Sequence, residues 1–214
     1  MSITRGEFHS KWSALHGGAE IKGAVRGWLA ISYLIARGLN FIRITPNIMT
    51  VVGVLLSAAM LLPIVQGEKE ISIAPAIILL VLSLMADGVD GSLAIYQDRE
   101  SEMGGIYDTI ADRISESFWL TFVFYLGVPA GLAITIWILG ATQEYARARL
   151  ASMGHAQVGV VTPAERPVRA IYILFTIILS AFAVNLLAAL SIAFIALQLF
   201  SVLLIVKMAR SILR

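Results

Sequence analysis

Residues 87–112, DGVDGSLAIYQDRESEMGGIYDTIAD, place four carboxylates between two apolar runs, and no other segment constrains the fold as tightly. The run ISIAPAIILLVLSLMA leads into Asp87 and Asp90, while Asp108 and Asp112 lead towards FWLTFVFYLG. Spacings of three and four residues put each aspartate pair on one helix face. A short polar turn between the runs then brings both pairs to the same end of neighbouring helices. Like charges held this close repel, and in a low-dielectric setting they persist only beside a cation, a proton or a basic group. Carboxylate oxygens without His or Cys suit a hard divalent cation, Mg²⁺ or Mn²⁺, rather than zinc.

The rest of the chain is as greasy as those runs. Hydrophobic residues make up 58% of 214 positions and charged residues only 14%, too apolar a balance for a soluble domain of this size. The expected fold is an all-α integral membrane protein with six transmembrane helices and an N-terminal amphipathic interfacial helix. Apolar stretches at 46–65, 71–95, 104–126, 128–149, 167–184 and 187–207 are each close to the ~20 residues that cross a ~30 Å hydrocarbon core. Pro46 opens the first of them, where its missing N–H costs no helical bond, with Thr45 as N-cap. Upstream, Lys22, Arg26, Ala30, Tyr33 and Arg37 form one stripe at helical spacing, so residues 22–41 read as a helix lying in the headgroup region. A spanning helix carrying Arg37 is the alternative. The division is residues 1–44 as a cytoplasmic N-terminus with this helix, and 45–214 as the six-helix transmembrane catalytic domain.

Charge fixes the expected orientation. With the N-terminus inside, of 16 Lys and Arg only Lys69 falls in the outward loops, a strong positive-inside bias. The protein is then a multi-pass component of the cytoplasmic (inner) membrane, with N-terminus and active site on the cytoplasmic side. The polar start MSITRGEFHSKW has no apolar core or cleavage site of a secretory signal. The absence of cysteine excludes disulfides and thiolate metal sites. No internal repeat of transporter type is visible. His9, His16 and His155 are far in sequence from the aspartates and read as surface residues without chemistry.

Gly88, Gly91, Ala94, Gly104 and Gly105 lie among the aspartates. Small residues there either let helices pack closely or leave room for a ligand, and their interleaving with four carboxylates favours the ligand. A carboxylate and metal cluster at a membrane face suits a diphosphate, whose charge must be neutralised before a nucleophile approaches. Arg147, Arg149, Arg166 and Arg169 either hold a second anionic group or anchor the chain against lipid phosphates.

The order Asp87-x-x-Asp90-Gly91-x-x-Ala94, then nine residues, then Gly104-x-x-x-Asp108-x-x-x-Asp112 resembles the signature of the CDP-alcohol phosphotransferases. Seven of that signature's eight fixed positions are met, and Ile95 stands where the family has arginine, with Arg99 one turn further on as a stand-in. The resemblance implies a homodimeric membrane enzyme of phospholipid biosynthesis that moves a phosphatidyl-type group from a CDP-linked lipid, such as CDP-diacylglycerol, to an alcohol and releases CMP. It further implies that Asp87, Asp90 and Asp108 ligate two divalent ions, with Asp112 as fourth ligand or general base. Gly91, Ala94 and Gly104 would make room for the cytidine beside Asp87 and Gly88. TPNIMT resembles the family's helix start next to the nucleotide, which adds Asn47 and Thr50.

Residues 144–154, EYARARLASMG, and 164–169, AERPVR, are similar to stretches of phosphatidylinositol-phosphate synthases in which basic residues hold the acceptor's phosphate. Arg147, Arg149 and Arg166 match in type. Glu144 would oppose a phosphate unless one of these arginines pairs with it. Inositol phosphate is therefore one expected acceptor, beside glycerol phosphate and unphosphorylated polyols. Nucleic acid is not among the expected partners. Two other readings remain: a cation or proton-coupled transporter using the carboxylates, and an inactive lipid-binding homologue, motivated by Ile95.

Overall fold

The computed structural model describes residues 3–67, 73–155 and 162–213, and among them there is no β-strand. The α-helices are α1 (Arg5–Leu15), α2 (Gly23–Phe41), α3 (Pro46–Ala59), α4 (Leu62–Val65), α5 (Ile73–Gln97), α6 (Glu102–Tyr125), α7 (Ala130–Leu150), α8 (Arg166–Ser180) and α9 (Leu187–Ile212). Two described helical stretches are long and apolar enough to cross a membrane, Ile73–Gln97 and Val184–Ile212; a third arises if Val25–Phe41 and Pro46–Ala59, bent by 109°, count as one span. The remaining expected segments also form helices, although α8 has only 15 residues.

The stretch expected to run unbroken over 46–65 is interrupted after Ala59. Pro63 is the physical reason: it supplies no N–H and its ring collides with the carbonyl four residues back, that of Ala59. Helix α1 is absent from the sequence expectations. Its start is nonetheless coded by Thr4-x-x-Glu7, a capping box in which the Thr4 hydroxyl accepts from the Glu7 N–H and the Glu7 carboxylate accepts from the Thr4 N–H. Residues 68–70 of the expected outer loop, Lys69 included, and residues 156–161 of the expected 151–162 loop lie outside the described residues.

The chain forms two compact units: residues 1–57 with 81–115, and residues 58–80 with 116–214. The first draws on both sides of the 44/45 boundary. Its core is built where α1 and α2 meet α5. Phe8 and Leu29 are fully buried against Ile95, and Ala36, Leu93 and Tyr96 form a second cluster. Burying a phenylalanine contributes about 1.5–3 kcal/mol, so Phe8 alone can hold a short helix in place. Tyr33 ties the two clusters together. Its ring meets Phe8 and Tyr96 edge-on, and its hydroxyl donates to the Ile3 carbonyl at 3.0 Å.

In the second unit α7, α8 and α9 pack around Ile136, Ile173, Ile177, Phe194 and Ile205. The Tyr172 and Phe194 rings stack at 4.4 Å, and the Tyr172 hydroxyl shares a hydrogen bond with Ser191. Asn185, expected in a tight turn, lies in a single 3₁₀ turn, Val184–Leu186.

Candidate functional site

Helices α5 and α6 are joined by a turn that reverses the chain just after the first aspartate pair. Asp98 adopts a left-handed backbone, φ 56°, and Ser101 caps α6 by accepting from the Gly104 N–H at 3.0 Å. The turn sets Asp108 and Asp112, one helical turn apart on α6, against Asp87 on α5. One oxygen from each of Asp87, Asp108 and Asp112 lies within 4.8 Å of the others. All three side chains are half-buried. Three carboxylates, no imidazole and no thiolate make a donor set that fits a hard divalent cation such as Mg²⁺ or Mn²⁺. Bringing them together costs electrostatic energy that such a cation offsets.

Asp90, expected among the same ligands, is placed differently. It is buried on α5 and accepts from the Thr50 hydroxyl of α3 at 2.5 Å. It still borders the same cavity of about 480 Å³, together with Asn47, Thr50, Asp87, Gly88, Gly91, Ala94, Gly104 and Asp108. Every residue expected to contact the nucleotide therefore lines one space, all within the first unit. A β-carbon added at Gly91 or Gly105 would meet nothing within 4 Å, whereas one at Gly104 would come to 3.1 Å from the Ser101 hydroxyl. Gly88 is small for another reason. A β-carbon there would lie 2.6 Å from the Trp28 indole, so its absence lets α2 lay that ring against α5.

Ile95 is 4% exposed and packs on Phe8 and Leu29, so an apolar contact with α1 occupies this position of the motif. Arg99 borders the cavity. Sequence reasoning missed Trp12, Leu15, His16 and Trp28, which border it too. The capping box was the signal that a helix begins at residue 5; nothing in the sequence pattern indicated that it docks here. His16 is exposed, as expected, yet at the cavity, while His9 is half-buried rather than a surface residue. The His155 side chain lies outside the described residues.

The four arginines lie in the second unit. Arg169, 4% exposed, donates from Nε to Glu116 at 2.9 Å, from one terminal nitrogen to Glu144 at 2.9 Å, and from the other to the Ala164 carbonyl. Gly140 permits this, since a β-carbon there would sit 3.4 Å from the Arg169 side chain. Arg147 forks onto Glu165 and also donates to Thr162. Glu144 is thus paired, with Arg169 and, at 3.7 Å, with Arg147. Arg166 lies over the Trp119 ring at 5.7 Å, and the exposed Arg149 reaches Ser152. Of the four, Arg169 is the one most fully committed to protein partners.

The profile of the CDP-alcohol phosphatidyltransferases matches residues 43–210. The chain belongs to that family. CDP-alcohol phosphatidyltransferases are enzymes that transfer phosphatidyl groups, and the family, with the apolar helices, makes this an integral membrane protein. Among its relatives is an archaetidylinositol phosphate synthase of Aeropyrum pernix, 32% identical over 124 residues, 58% of this chain and 62% of that one. A phosphatidylinositol phosphate synthase of Cutibacterium acnes is 27% identical over 65% of this chain and 70% of its own length. The chain therefore spans less than two thirds of the Aeropyrum relative. The fold is similar to the crystal structure of Mycobacterium tuberculosis phosphatidylinositol phosphate synthase with CDP-DAG bound, with a TM-score of 0.60, 22% identity, and coverage of 83% of this chain and 91% of that one.

Proposed function

We propose that this protein transfers a phosphatidyl-type group from a CDP-linked diacyl lipid to inositol phosphate and releases CMP, as one step of phospholipid synthesis at the cytoplasmic face of the membrane. The observation that carries the reading is the meeting of Asp87, Asp108 and Asp112 at a cavity bordered by the whole expected nucleotide-contacting set. In this reading Mg²⁺ or Mn²⁺ is held by these three aspartates with Asp90 beside them, and when bound it neutralises the charge of the donor's diphosphate.

The protein's own groups do the rest. Gly91 and Gly104 leave space for the cytidine, and Asn47 and Thr50 flank it from the start of α3. Asp112, with the Arg113 guanidinium 3.9 Å away, takes the acceptor's proton. The acceptor oxygen bonds to the lipid-side phosphorus, the bond from that phosphorus to the CMP oxygen breaks, and CMP leaves. A membrane site lets the donor's tails stay in lipid while its headgroup enters the polar cavity. The pairing of Glu144 with Arg169 and Arg147 removes the objection a bare carboxylate would raise to a phosphorylated acceptor. Arg147, Arg149 and Arg166 then serve that phosphate, and Arg169 shapes their surroundings. Residues 45–214 form the six-span catalytic part, residues 22–41 lie along the interface, and the enzyme is a homodimer.

The test is release of labelled CMP by the purified chain with Mg²⁺ or Mn²⁺, run against inositol phosphate, glycerol phosphate and unphosphorylated polyols. Turnover with inositol phosphate above the others is expected. Release favouring another acceptor would overturn the substrate, and donor binding without release would point to an inactive homologue. Ion flux in liposomes without CMP release would return the carrier reading. Asp112→Asn is expected to abolish release while donor binding persists.

A further inference from the structure

We infer that α1 is the nucleobase wall of the donor cavity, with the stacked Trp12 and His16 rings as the surface on which the donor's cytosine packs. The inference rests on the reading that this cavity holds a cytidine diphosphate, and it adds residues outside the 43–210 stretch matched by the family. Three observations carry it.

The first is that α1 is a docked part of the first unit. Phe8 is fully buried against Leu29 and Ile95, the Tyr33 hydroxyl holds the Ile3 carbonyl, and Lys11 forms an ion pair with Asp98 of the α5–α6 turn. The second is where this docking leads. The C-terminal turn of α1 delivers Trp12, Leu15 and His16 to the cavity that Asp87, Asp90 and Asp108 also border. The Lys11–Asp98 pair fixes the residue immediately before Arg99, another lining group. The third is the shape of what is delivered. The Trp12 and His16 rings are stacked with centroids 4.0 Å apart and planes 17° apart, and the His16 Nδ1 bond to the Trp12 carbonyl, 2.8 Å, holds the imidazole in place.

A CDP-linked donor has two ends with opposite needs. Its diphosphate seeks cations, while its base is a flat, uncharged ring whose faces are stabilised by stacking on aromatic groups. Carboxylates cannot serve those faces. The paired rings of α1, with Leu15 exposed beside them, supply the surface the base requires, and a cavity of about 480 Å³ is of a size that holds small ligands.

Two inhibitors separate the base from the diphosphate. In the full chain at saturating Mg²⁺, lipid-product formation is followed with CMP and with pyrophosphate as competitors of the donor. Trp12→Ala is expected to raise the donor KM and weaken CMP inhibition on the order of ten-fold, leave pyrophosphate inhibition unchanged, and keep kcat within about two-fold. Trp12→Phe should restore CMP inhibition, because it returns a stacking face. His16→Ala, at an exposed position, gives the same selective loss should Trp12→Ala not fold. Unchanged CMP inhibition in the alanine variants, or parallel weakening by both inhibitors, overturns the wall. Asp108→Asn tests the underlying reading independently: it should lose inhibition by both compounds, and retention of pyrophosphate inhibition there would sink the diphosphate site whatever α1 does.

Discussion

The two units treat buried acid in opposite ways. In the first, Asp87, Asp108 and Asp112 gather against one another; in the second, Glu116, Glu144 and Glu165 gather against Arg169 and Arg147. Carboxylates matched to guanidinium groups satisfy one another's charge and hydrogen-bonding capacity, so that arrangement holds itself together. Carboxylates matched to carboxylates raise the energy of the folded chain and invite a cation. The difference separates a site that acts on a ligand from a network that holds helices in place. It also explains why acidic residues of equal hydrophobic cost in the sequence come to play different parts.

The strongest way to break that contrast is to remove one charge from each unit. Asp108→Asn should lower CMP release on the order of a thousand-fold, and its melting temperature in detergent should be equal to or above that of the parent, because a like-charge repulsion is relieved. Adding Mg²⁺ should raise the melting temperature of the parent and not that of the variant. A variant that melts clearly lower would mean that the cluster is structural.

Arg169→Ala should do the reverse. Removing one partner of a buried ion pair costs about 3–5 kcal/mol because Glu116 is left buried beside an empty position. Melting measurements should show the loss before activity is assayed, and a fully stable Arg169→Ala with a raised acceptor KM would instead assign this arginine to the acceptor.

The smallest effect is a pH dependence at Glu165. Burial raises its pKa, but the Arg147 fork and the Thr162 N–H and hydroxyl outweigh burial and hold it below the usual carboxylate value. A lowered folded-state pKa contributes stability that is fully present above the unfolded value of about 4.5 and is lost as pH falls through the folded one. Melting curves of the parent and Glu165→Gln should therefore differ at pH 7 and converge in acid. Parallel curves across that range would show that the pair adds nothing to stability.

Much of this was legible in the chain. Apolar runs near membrane length could only be helices, because in lipid every backbone polar group must be paired within its own segment. The three- and four-residue spacings already put each aspartate pair on one face, and Pro63 marked the break that the hydropathy of residues 46–65 concealed. Glu144 shows where reading stops. Its sign argued against a phosphorylated acceptor until Arg169, 25 residues away in sequence, proved to be its partner.

The sequence by itself determined the helical class, the oxygen-only donor set and the family motif, since each depends on residue types at short, fixed spacings. Tertiary structure alone decided that Asp87, Asp108 and Asp112 cluster while Asp90 turns to Thr50, that Gly88 is small to admit Trp28, and that α1 reaches the cavity. Those outcomes depend on which faces of distant helices meet, and side-chain packing sets that without leaving a local periodicity to read.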